Sequence, residues 1–250
     1  MRVALLSDIH GNALALEAVL LDVAGERVDV LMNLGDIFYG PLWPRRTWEL
    51  LRTLDAVTIV GNEDRLLFEA TTEHSASHPT IAYNLRDLGD TPIEWMRELP
   101  ATTQVDEIYA CHGTPHSDTT YLLEDISSGD AVLLGETAIR ARLGAIDRRV
   151  VVCGHSHTPR AITLGDGTLI VNPGSVGLPA YDDDLPLPHR MQTGTPHARW
   201  ALLEKTAQGW RAELRSTAYD YERAARQAET LQRRDWALWL RSGRAHIPSP

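Results

Sequence analysis

Apolar runs of strand length alternate with apolar positions at helical spacing at the start of the chain. The runs predict three strands, at residues 2–7, 28–33 and 57–60. The helical spacing predicts two helices, at residues 13–24 and 44–54. The order β-α-β-α-β is typical of a sheet that is covered by helices.

The rest of the chain loses the strand pattern and then regains it. Residues 66–100 are expected to form a helical insertion with a polar connection at residues 71–80. Further elements are predicted as strands at 102–106, 108–111 and 149–153, a helix at 130–143, and hairpins at 160–172 and 199–215. A long loop is expected at 179–197, and a long helix at 220–241 within a C-terminal helix and tail at 220–250. A single α/β domain over residues 1–250, with two stacked sheets, fits this order best.

Composition and charge narrow the classes of partner. The 43% hydrophobic and 23% charged residues are typical of a soluble globular protein. The formal net charge of −10 disfavours nonspecific binding to nucleic acid or to an anionic membrane. No apolar run approaches the roughly 20 residues of a membrane span, and the N-terminus lacks the pattern of a signal peptide. We therefore expect a cytoplasmic protein, which the small number of cysteines also favours.

Polar residues follow five of the predicted strands, at the strand ends where open α/β sheets bind their ligands. In an extended backbone, residues i and i+2 point the same way. Asp8 is therefore expected to converge with His10, and His155 with His157. In total, seven side chains are expected to meet at one place: Asp8, His10, Asp36, Asn62, His112, His155 and His157.

This set of donors favours a metal site with two ions. Mixed nitrogen and oxygen donors suit Mn, Fe, Co, Ni or Zn better than Ca or Mg. Seven donors exceed the need of one tetrahedral ion and fit two divalent ions that share a bridging carboxylate. The carboxylates of Asp8 and Asp36 leave part of the metal charge uncompensated, which would stabilise a bridging hydroxide and attract phosphate oxygens. The site is therefore expected to be catalytic.

The stretches SDIHGN, LGDIFYG, VGNED, CHGTP and CGHSHTP resemble, in order and spacing, the motifs of the calcineurin-like metallophosphoesterases. The later NPGSVGLP stretch and the strand-rich second half resemble the small bacterial and archaeal phosphodiesterase-like branch, so that the resemblance extends over residues 1–215. It implies a four-layer α-β-β-α sandwich with two mixed sheets and a dinuclear centre at the strand ends.

By matching position, the resemblance also implies a role for each ligand. One metal would be held by Asp8, His10 and His157. The other would be held by Asn62, His112 and His155, with Asp36 bridging the two. Asp36, His112 and His155 are the expected catalytic residues. The expected cofactors are two divalent transition-metal ions, with manganese favoured and iron, zinc, cobalt or nickel as alternatives.

One position departs from the family pattern. Many members have a histidine directly after the asparagine of the third motif, and that histidine is thought to protonate the leaving group. This chain has Glu63 there, and Asp64 has lost the partner that it would orient. A glutamate is ionised at neutral pH unless burial raises its pKa, and metal ions would lower that pKa. We expect weaker assistance to the leaving group, which favours diesters. As an alternative, Glu63 is a solvated residue of the first helical turn.

The sequence thus predicts a metal-dependent phosphoric ester hydrolase that uses a metal-bridging hydroxide. A phosphodiester is the favoured substrate, either a small phosphate ester or a nucleotide. One alternative is a protein phosphatase or dinucleoside polyphosphate hydrolase of the same superfamily. Another is a noncatalytic interaction scaffold with the same fold.

Several other polar residues have two open interpretations. Arg45, Arg46 and Arg65 either contact the substrate phosphate or are solvated. Asn12 either caps the first helix or lines the site. Surface or loop positions are expected for the remaining histidines, of which His116 is the candidate to reach the phosphate: His74, His78, His116, His189, His197 and His246. Cys111 and Cys153 are expected to be buried and unreactive.

Overall fold

The computed structural model describes residues 1–246, apart from the side chain of His74, so the last four residues of the expected C-terminal tail, 247–250, lie outside the described residues. Its strands are β1 (Arg2–Leu6), β2 (Val30–Asn33), β3 (Ala56–Thr58), β4 (Thr102–Val105), β5 (Ile108–Cys111), β6 (Glu124–Asp125), β7 (Val132–Leu133), β8 (Val150–Val152), β9 (Arg160–Thr163), β10 (Leu169–Asn172), β11 (Ala180–Asp183), β12 (His189–Gln192), β13 (Ala198–Thr206) and β14 (Gly209–Thr217). Its helices are α1 (Ala13–Ala24), α2 (Pro44–Leu51), α3 (Asn62–Glu69), α4 (Thr72–Ser77), α5 (Pro79–Leu88), α6 (Asp90–Glu98), α7 (Glu136–Leu143), α8 (Tyr221–Thr230) and α9 (Arg234–Ser242).

Two five-stranded mixed sheets form the centre of the fold, in the orders β14-β13-β1-β2-β3 and β4-β5-β8-β10-β9. In the first sheet, β1, β2 and β3 are parallel, and β13 pairs antiparallel with β1. In the second sheet, β5, β8 and β10 are parallel, with antiparallel β4 and β9 at the edges. The expectation of two mixed sheets is confirmed.

The alternation of side chains along β1 shows how the layers stack. Val3 and Leu5 belong to the core that lies between the two sheets. Ala4 and Leu6 point to the opposite face, where they pack with Leu16 and the other apolar side chains of the helices. On the outer face of the second sheet, α7 contributes to a separate apolar cluster. The order helix–sheet–sheet–helix is the four-layer sandwich expected from the sequence.

Two predictions in the first part of the chain are wrong. The polar connection at residues 71–80 contains the short helix α4, whose first turn carries Glu73, a favourable charge at a helix N-terminus. The helix predicted at 130–143 begins only at Glu136, after Gly135 at its N-cap. Residues 132–133 instead pair with β6 as the strand β7.

Two predictions near the C-terminus also need correction. The expected loop at 179–197 contains the hairpin β11–β12, in which Tyr181 lies opposite the fully buried Met191. The predicted long helix at 220–241 is two helices, because Gln232 adopts a left-handed φ of 61° between them and interrupts the helical backbone.

The two C-terminal helices form a compact pair that packs on the rest of the fold. Small side chains on α8, such as Ala224 and Ala228, allow a close approach to Trp236 and Trp239 of α9. The same cluster includes Leu178, which immediately precedes the β11 hairpin region. This packing brings α9 to the carboxyl ends of the central strands. No helix among the described residues is long and apolar enough to cross a membrane.

Candidate active site

The loops that follow the parallel strands are tied to one another by backbone hydrogen bonds. After β1, Asp8 N donates to Gly35 O at 3.0 Å, and His10 N donates to Asp36 O at 3.0 Å. In the second sheet, Gly154 N donates to the carbonyl oxygen of His112 at 2.7 Å. These contacts join the loop after β1 to the loop after β2, and the loop after β5 to the loop after β8.

Most of the converging side chains stand on strained backbone. Positive φ angles occur at five of the seven predicted residues: Asp8 (53°), His10 (51°), Asp36 (54°), His155 (65°) and His157 (54°). The predicted convergence is therefore present, but the extended backbone given as its reason is wrong. Left-handed conformations of non-glycine residues are costly and concentrate at functional sites.

The side chains form two neighbouring groups, each with three donor atoms within 4.8 Å of one another. In the first group, His10 Nε2 lies 3.1 Å from His157 Nε2, which lies 3.4 Å from Asp8 Oδ1. In the second group, which contains Asp36, His112 and His155, His112 Nε2 lies 3.2 Å from Asp36 Oδ2. The groups adjoin, because His112 Nε2 is also 4.0 Å from Asp8 Oδ1.

Asn62 completes the second group from the start of α3. One atom of its amide lies 3.0 Å from His112 Nε2 and 2.9 Å from His155 Nδ1. The preceding Gly61 makes this placement possible, because a Cβ atom there would overlap the backbone nitrogen and the carboxylate of Asp36. All seven predicted residues thus lie together.

Three of the histidines are oriented in the same way, with Nδ1 facing a backbone carbonyl. The pairs are His10 with Tyr39 O at 2.9 Å, His112 with Leu34 O at 2.7 Å, and His157 with Leu178 O at 2.7 Å. Since a carbonyl only accepts, Nδ1 carries a proton and each ring directs its Nε2 toward the centre. This is the usual orientation of metal-binding histidine.

The two central carboxylates are held in the ionised form. Burial alone would raise the pKa of Asp36, but His112 outweighs burial and lowers it. Burial likewise opposes ionisation of Asp8, yet the neighbouring His157 lowers its pKa. Two anionic carboxylates are therefore fixed at the centre of the site.

The histidine pKa values reflect the same balance of burial and charge. Burial and the neighbouring His157 lower the pKa of His10 to about 4, and burial and His112 do the same for His155. For His112, burial is outweighed by Asp36, which raises the pKa to about 10. His112 beside Asp36 therefore favours the protonated form, whereas His10 and His155 favour the neutral form.

Asp64 has a clear structural role that the sequence did not reveal. Its fully buried carboxylate accepts hydrogen bonds from three backbone nitrogens: Asp36 N at 2.9 Å, Ile37 N at 2.8 Å and Gly61 N at 3.0 Å. Burial and Asp36 raise its pKa to about 7. Asp64 therefore joins the loops after β2 and β3.

The family model that matches this chain is the calcineurin-like phosphoesterase superfamily domain, over residues 1–186. The chain belongs to this superfamily. An uncharacterised protein of Methanocaldococcus jannaschii is 26% identical over 191 residues, which cover 71% of this chain and 76% of that protein.

Solved structures of similar proteins share the fold. A metallophosphoesterase from Sphaerobacter thermophilus has a TM-score of 0.72 at 24% identity, over 95% of this chain and 100% of the other. A hypothetical protein from Pyrococcus horikoshii OT3 has a TM-score of 0.78 at 19% identity, over 98% and 99% of the two chains. At these identities the likeness concerns the fold alone.

The donors of this metallophosphoesterase fit divalent metal ions. Asp8 Oδ2 is buried and has no hydrogen-bond partner among the described residues, which is costly for an ionised oxygen. His10 Nε2 and His157 Nε2 face each other at 3.1 Å, and both rings donate through Nδ1 to carbonyls. A cation between these atoms would satisfy all of them at once. The residues therefore form two candidate metal-binding clusters.

A cavity of about 190 Å³ opens above the two clusters. Its walls include side chains that the sequence did not assign to the site: Tyr39, Tyr121, Tyr181, Asp182, Asp183, Arg233, Trp236 and Trp239. The last three come from the α8–α9 region, which lies beyond the part of the chain that the family model matches. The helical spacing predicted at 220–241 contains no signal for what these tryptophans cover.

The arginines considered as phosphate contacts are engaged elsewhere. Arg46 pairs with Glu17 at 2.6 Å, Arg65 pairs with Asp118 at 2.8 Å, and neither lines the cavity. Arg45 donates to Leu88 O and also lies outside the cavity. Among the described residues that line the cavity, Arg233 is the one arginine or lysine.

Three further assignments are settled by local contacts. Asn12 caps α1, because its Oδ1 accepts from Ala15 N at 3.2 Å. His116 is exposed beside Gly144 and does not line the cavity. The surface position expected for His189 is wrong: the residue is fully buried, with Nε2 at 2.7 Å from the hydroxyl of Tyr121. The side chain of His74 lies outside the described residues.

Cys111 and Cys153 are buried and free, as expected.

Glu63 lies in the first turn of α3, as the alternative expected, but it is not a solvated surface residue. It is half-buried and lines the cavity, and its Oε2 is buried with no hydrogen-bond partner among residues 1–246. Burial, followed by the charges of Asp36 and Asp64, raises its pKa well above the ordinary value. The side chain thus faces the substrate space.

Proposed function

We propose that the chain is a dinuclear metal-dependent phosphodiesterase. Asp8, His10 and His157 would hold one divalent ion, and Asn62, His112 and His155 the other. Asp36 would bridge them. Its carboxylate adjoins His112 of the second group, and His112 also lies near Asp8 of the first group. The paired donor groups at the bottom of a cavity support this assignment.

When bound, the two ions supply Lewis acidity and an activated water at neutral pH. The side chains of the protein fix where the phosphate sits and what surrounds it. Asp36 and the rings of His112 and His155 set the geometry of the cavity bottom, where the carbonyl contact of His112 prevents rotation of its ring. Arg233 offers a cation to a non-bridging phosphate oxygen. Hydrolysis forms one P–O bond to the water oxygen and breaks one ester P–O bond, and the departing oxygen takes up a proton.

The acidic lining of the cavity carries the preference for diesters. Asp182 and Asp183 line it together with a single arginine, Arg233. A monoester brings about two negative charges near neutral pH, whereas a diester brings one. Repulsion from the lining therefore disfavours the monoester more strongly. The absence of the family histidine at Glu63 weakens protonation of the leaving group, and diesters, in which less charge opposes attack, should lose least from this.

The test is a comparison of bis(p-nitrophenyl) phosphate with p-nitrophenyl phosphate. After removal of metals and reconstitution with Mn²⁺, we expect kcat/KM for the diester to exceed that for the monoester by at least about tenfold, the equivalent of one moderate charge repulsion. Asp183→Asn should narrow this ratio, and Glu63→His should raise monoester turnover. Inactivity with Mn, Fe, Co, Ni and Zn alike would refute the proposal and favour a noncatalytic scaffold.

Two further features belong to the same proposal. Manganese is the favoured ion, because the two carboxylates and the amide oxygen suit it, while the four imidazoles disfavour Ca and Mg. A cytoplasmic location is proposed from the two buried, unpaired cysteines.

A buried network beside the second group should control its metal affinity. Tyr181 donates to the carbonyl oxygen of His155 at 3.0 Å, and its oxygen lies 3.0 Å from that of Tyr121. Tyr121 in turn stacks on the His155 ring at 4.6 Å and contacts the buried His189. Tyr181→Phe removes the hydroxyl that links this network to His155.

For Tyr181→Phe we expect the Mn²⁺ concentration at half-maximal activity to rise by about tenfold, with activity restored at excess metal. Activity measured against Mn²⁺ concentration is the readout, and Tyr221→Phe on α8 is the matched control. An unchanged metal dependence, or a loss that excess metal does not restore, would contradict this role.

A further inference from the structure

A second and larger cavity adjoins the metal-binding cavity. It has a volume of about 820 Å³ and lies between α5 and the connection from α8 to α9. Tyr39 and Arg233 line both cavities, so they mark the passage between them. Tyr83 and Arg86 of α5 form another part of its wall.

The volumes indicate that the substrate extends through this passage. Sites for small molecules usually measure about 300–1,000 Å³. The metal-binding cavity, at about 190 Å³, is below this range and can enclose a phosphate group with little else. The second cavity lies within the range. One ester group of a diester held over the metal groups would therefore occupy the larger cavity.

The two cavities differ in the charge of their walls. The metal-binding cavity is lined by the carboxylates of Asp36, Asp182 and Asp183. In the larger cavity, Arg86 and Arg233 are present, and none of the described lining residues carries a carboxylate. In a chain with a net charge of −10, this contrast favours an anionic group in the larger cavity.

Arg86 and Arg233 are placed differently toward such a group. Arg233 is held by an ion pair with Asp235 at 2.6 Å and by a hydrogen bond to Thr80 at 2.8 Å. The exposed Arg86 lies 5.9 Å from the centre of the Tyr83 ring and forms no ion pair within the described part of the chain. Its guanidinium is therefore available to an incoming anion.

Aromatic rings complete the wall of the larger cavity. The hydroxyl of Tyr83 donates to Leu42 O at 2.5 Å, which fixes the ring in place. The ring of Tyr39 lines the passage, where burial raises the pKa of its hydroxyl to about 12 and keeps it neutral. Planar rings beside a guanidinium group are suited to a nucleobase next to a phosphate.

We propose that the substrate is a short linear dinucleotide with a terminal 5′-phosphate. Its internucleotide diester lies over the metal groups, one nucleoside passes Tyr39 and Arg233, and the terminal phosphate binds Arg86. This assignment rests on the proposed phosphodiesterase function and adds the class of substrate.

The experiment compares a diadenylate with and without a 5′-phosphate, using the Mn²⁺-loaded protein. We expect the phosphorylated dinucleotide to have at least about a tenfold higher kcat/KM, the effect of one charge-assisted hydrogen bond. Arg86→Ala should raise KM for this substrate by a similar factor and leave kcat unchanged. It should leave the unphosphorylated dinucleotide and bis(p-nitrophenyl) phosphate unaffected, and Arg86→Lys should retain part of the preference.

Arg52→Ala removes an exposed arginine remote from both cavities and controls for the change in net charge. Equal hydrolysis of the two dinucleotides, or an equal loss for both in Arg86→Ala, would overturn the proposed substrate while the phosphodiesterase function stands. If no diester is hydrolysed, calorimetric titration with the phosphorylated dinucleotide tests the phosphate site in the second cavity separately. Binding that depends on Arg86 supports this phosphate site, and a lack of such binding refutes the site.

Discussion

Replacing Asp36 by asparagine is expected to reduce hydrolysis of bis(p-nitrophenyl) phosphate by about 10³-fold or more. Asp36 lies between the two donor groups, 3.2 Å from His112 Nε2, and is nearly fully buried. The asparagine keeps the size of the side chain, and its oxygen can still accept from Glu63 N, which is 2.8 Å from Asp36 Oδ1. The substitution therefore removes the negative charge that two neighbouring cations need, with little change in packing.

The metal content of the Asp36→Asn variant shows whether its activity is lost through a missing ion or through unfolding. Mass spectrometry of the reconstituted Asp36→Asn variant should find fewer than two ions per chain, with a circular dichroism spectrum like that of the wild type. Asp184→Asn, an exposed carboxylate outside the cavity, is the matched control and should retain activity. Full activity of Asp36→Asn with two bound ions would exclude the bridging role.

Asp64→Ala is expected to lower the free energy of unfolding by about 3 kcal/mol and to abolish most activity. The substitution leaves the backbone nitrogens of Asp36, Ile37 and Gly61 without the acceptor that they share. An unsatisfied buried donor costs about 1–3 kcal/mol, and relaxation of the loops would recover part of the total. Because the same loops place Asp36 and Asn62, activity should fall together with stability.

Urea unfolding of the metal-free protein measures this effect without a contribution from bound ions. Asp64→Asn retains one acceptor oxygen and should lose less stability than Asp64→Ala. Asp55→Ala, an exposed aspartate, should lie within about 0.5 kcal/mol of the wild type. A loss below about 1 kcal/mol in Asp64→Ala would show that the loops hold together without this carboxylate.

The sandwich and the convergence of seven polar residues could be predicted because both follow from local signals. Apolar runs such as β1 and β8 end at polar pairs, and parallel strands deliver their carboxyl ends to one edge. The i and i+2 argument predicted the right neighbours for Asp8 and His10 but used the wrong backbone. Hydrophobic periodicity reports which face is buried and contains no information about left-handed residues in a loop.

The remaining parts of the site depend on contacts between distant segments. Arg233 and Trp236 reach the cavity only because α8 and α9 fold back onto the strand ends, and the break at Gln232 that permits this has no glycine or proline signal. Asp64 looked like a residue without a partner, since its acceptor role appears only when the loops after β2 and β3 are adjacent. Burial of His189 likewise requires Tyr121 from another part of the chain.

The left-handed backbone at Asp8, His10, Asp36, His155 and His157 has a consequence for how such a centre can be lost in evolution. If one of these side chains is no longer needed, the main chain still favours glycine, asparagine or aspartate at that position. β-Branched replacements would disturb the loop and the neighbouring strand ends as well. Descendants that retain the architecture without the chemistry should therefore carry glycine or asparagine at these five sites, and this pattern would mark an inactive copy from its sequence alone.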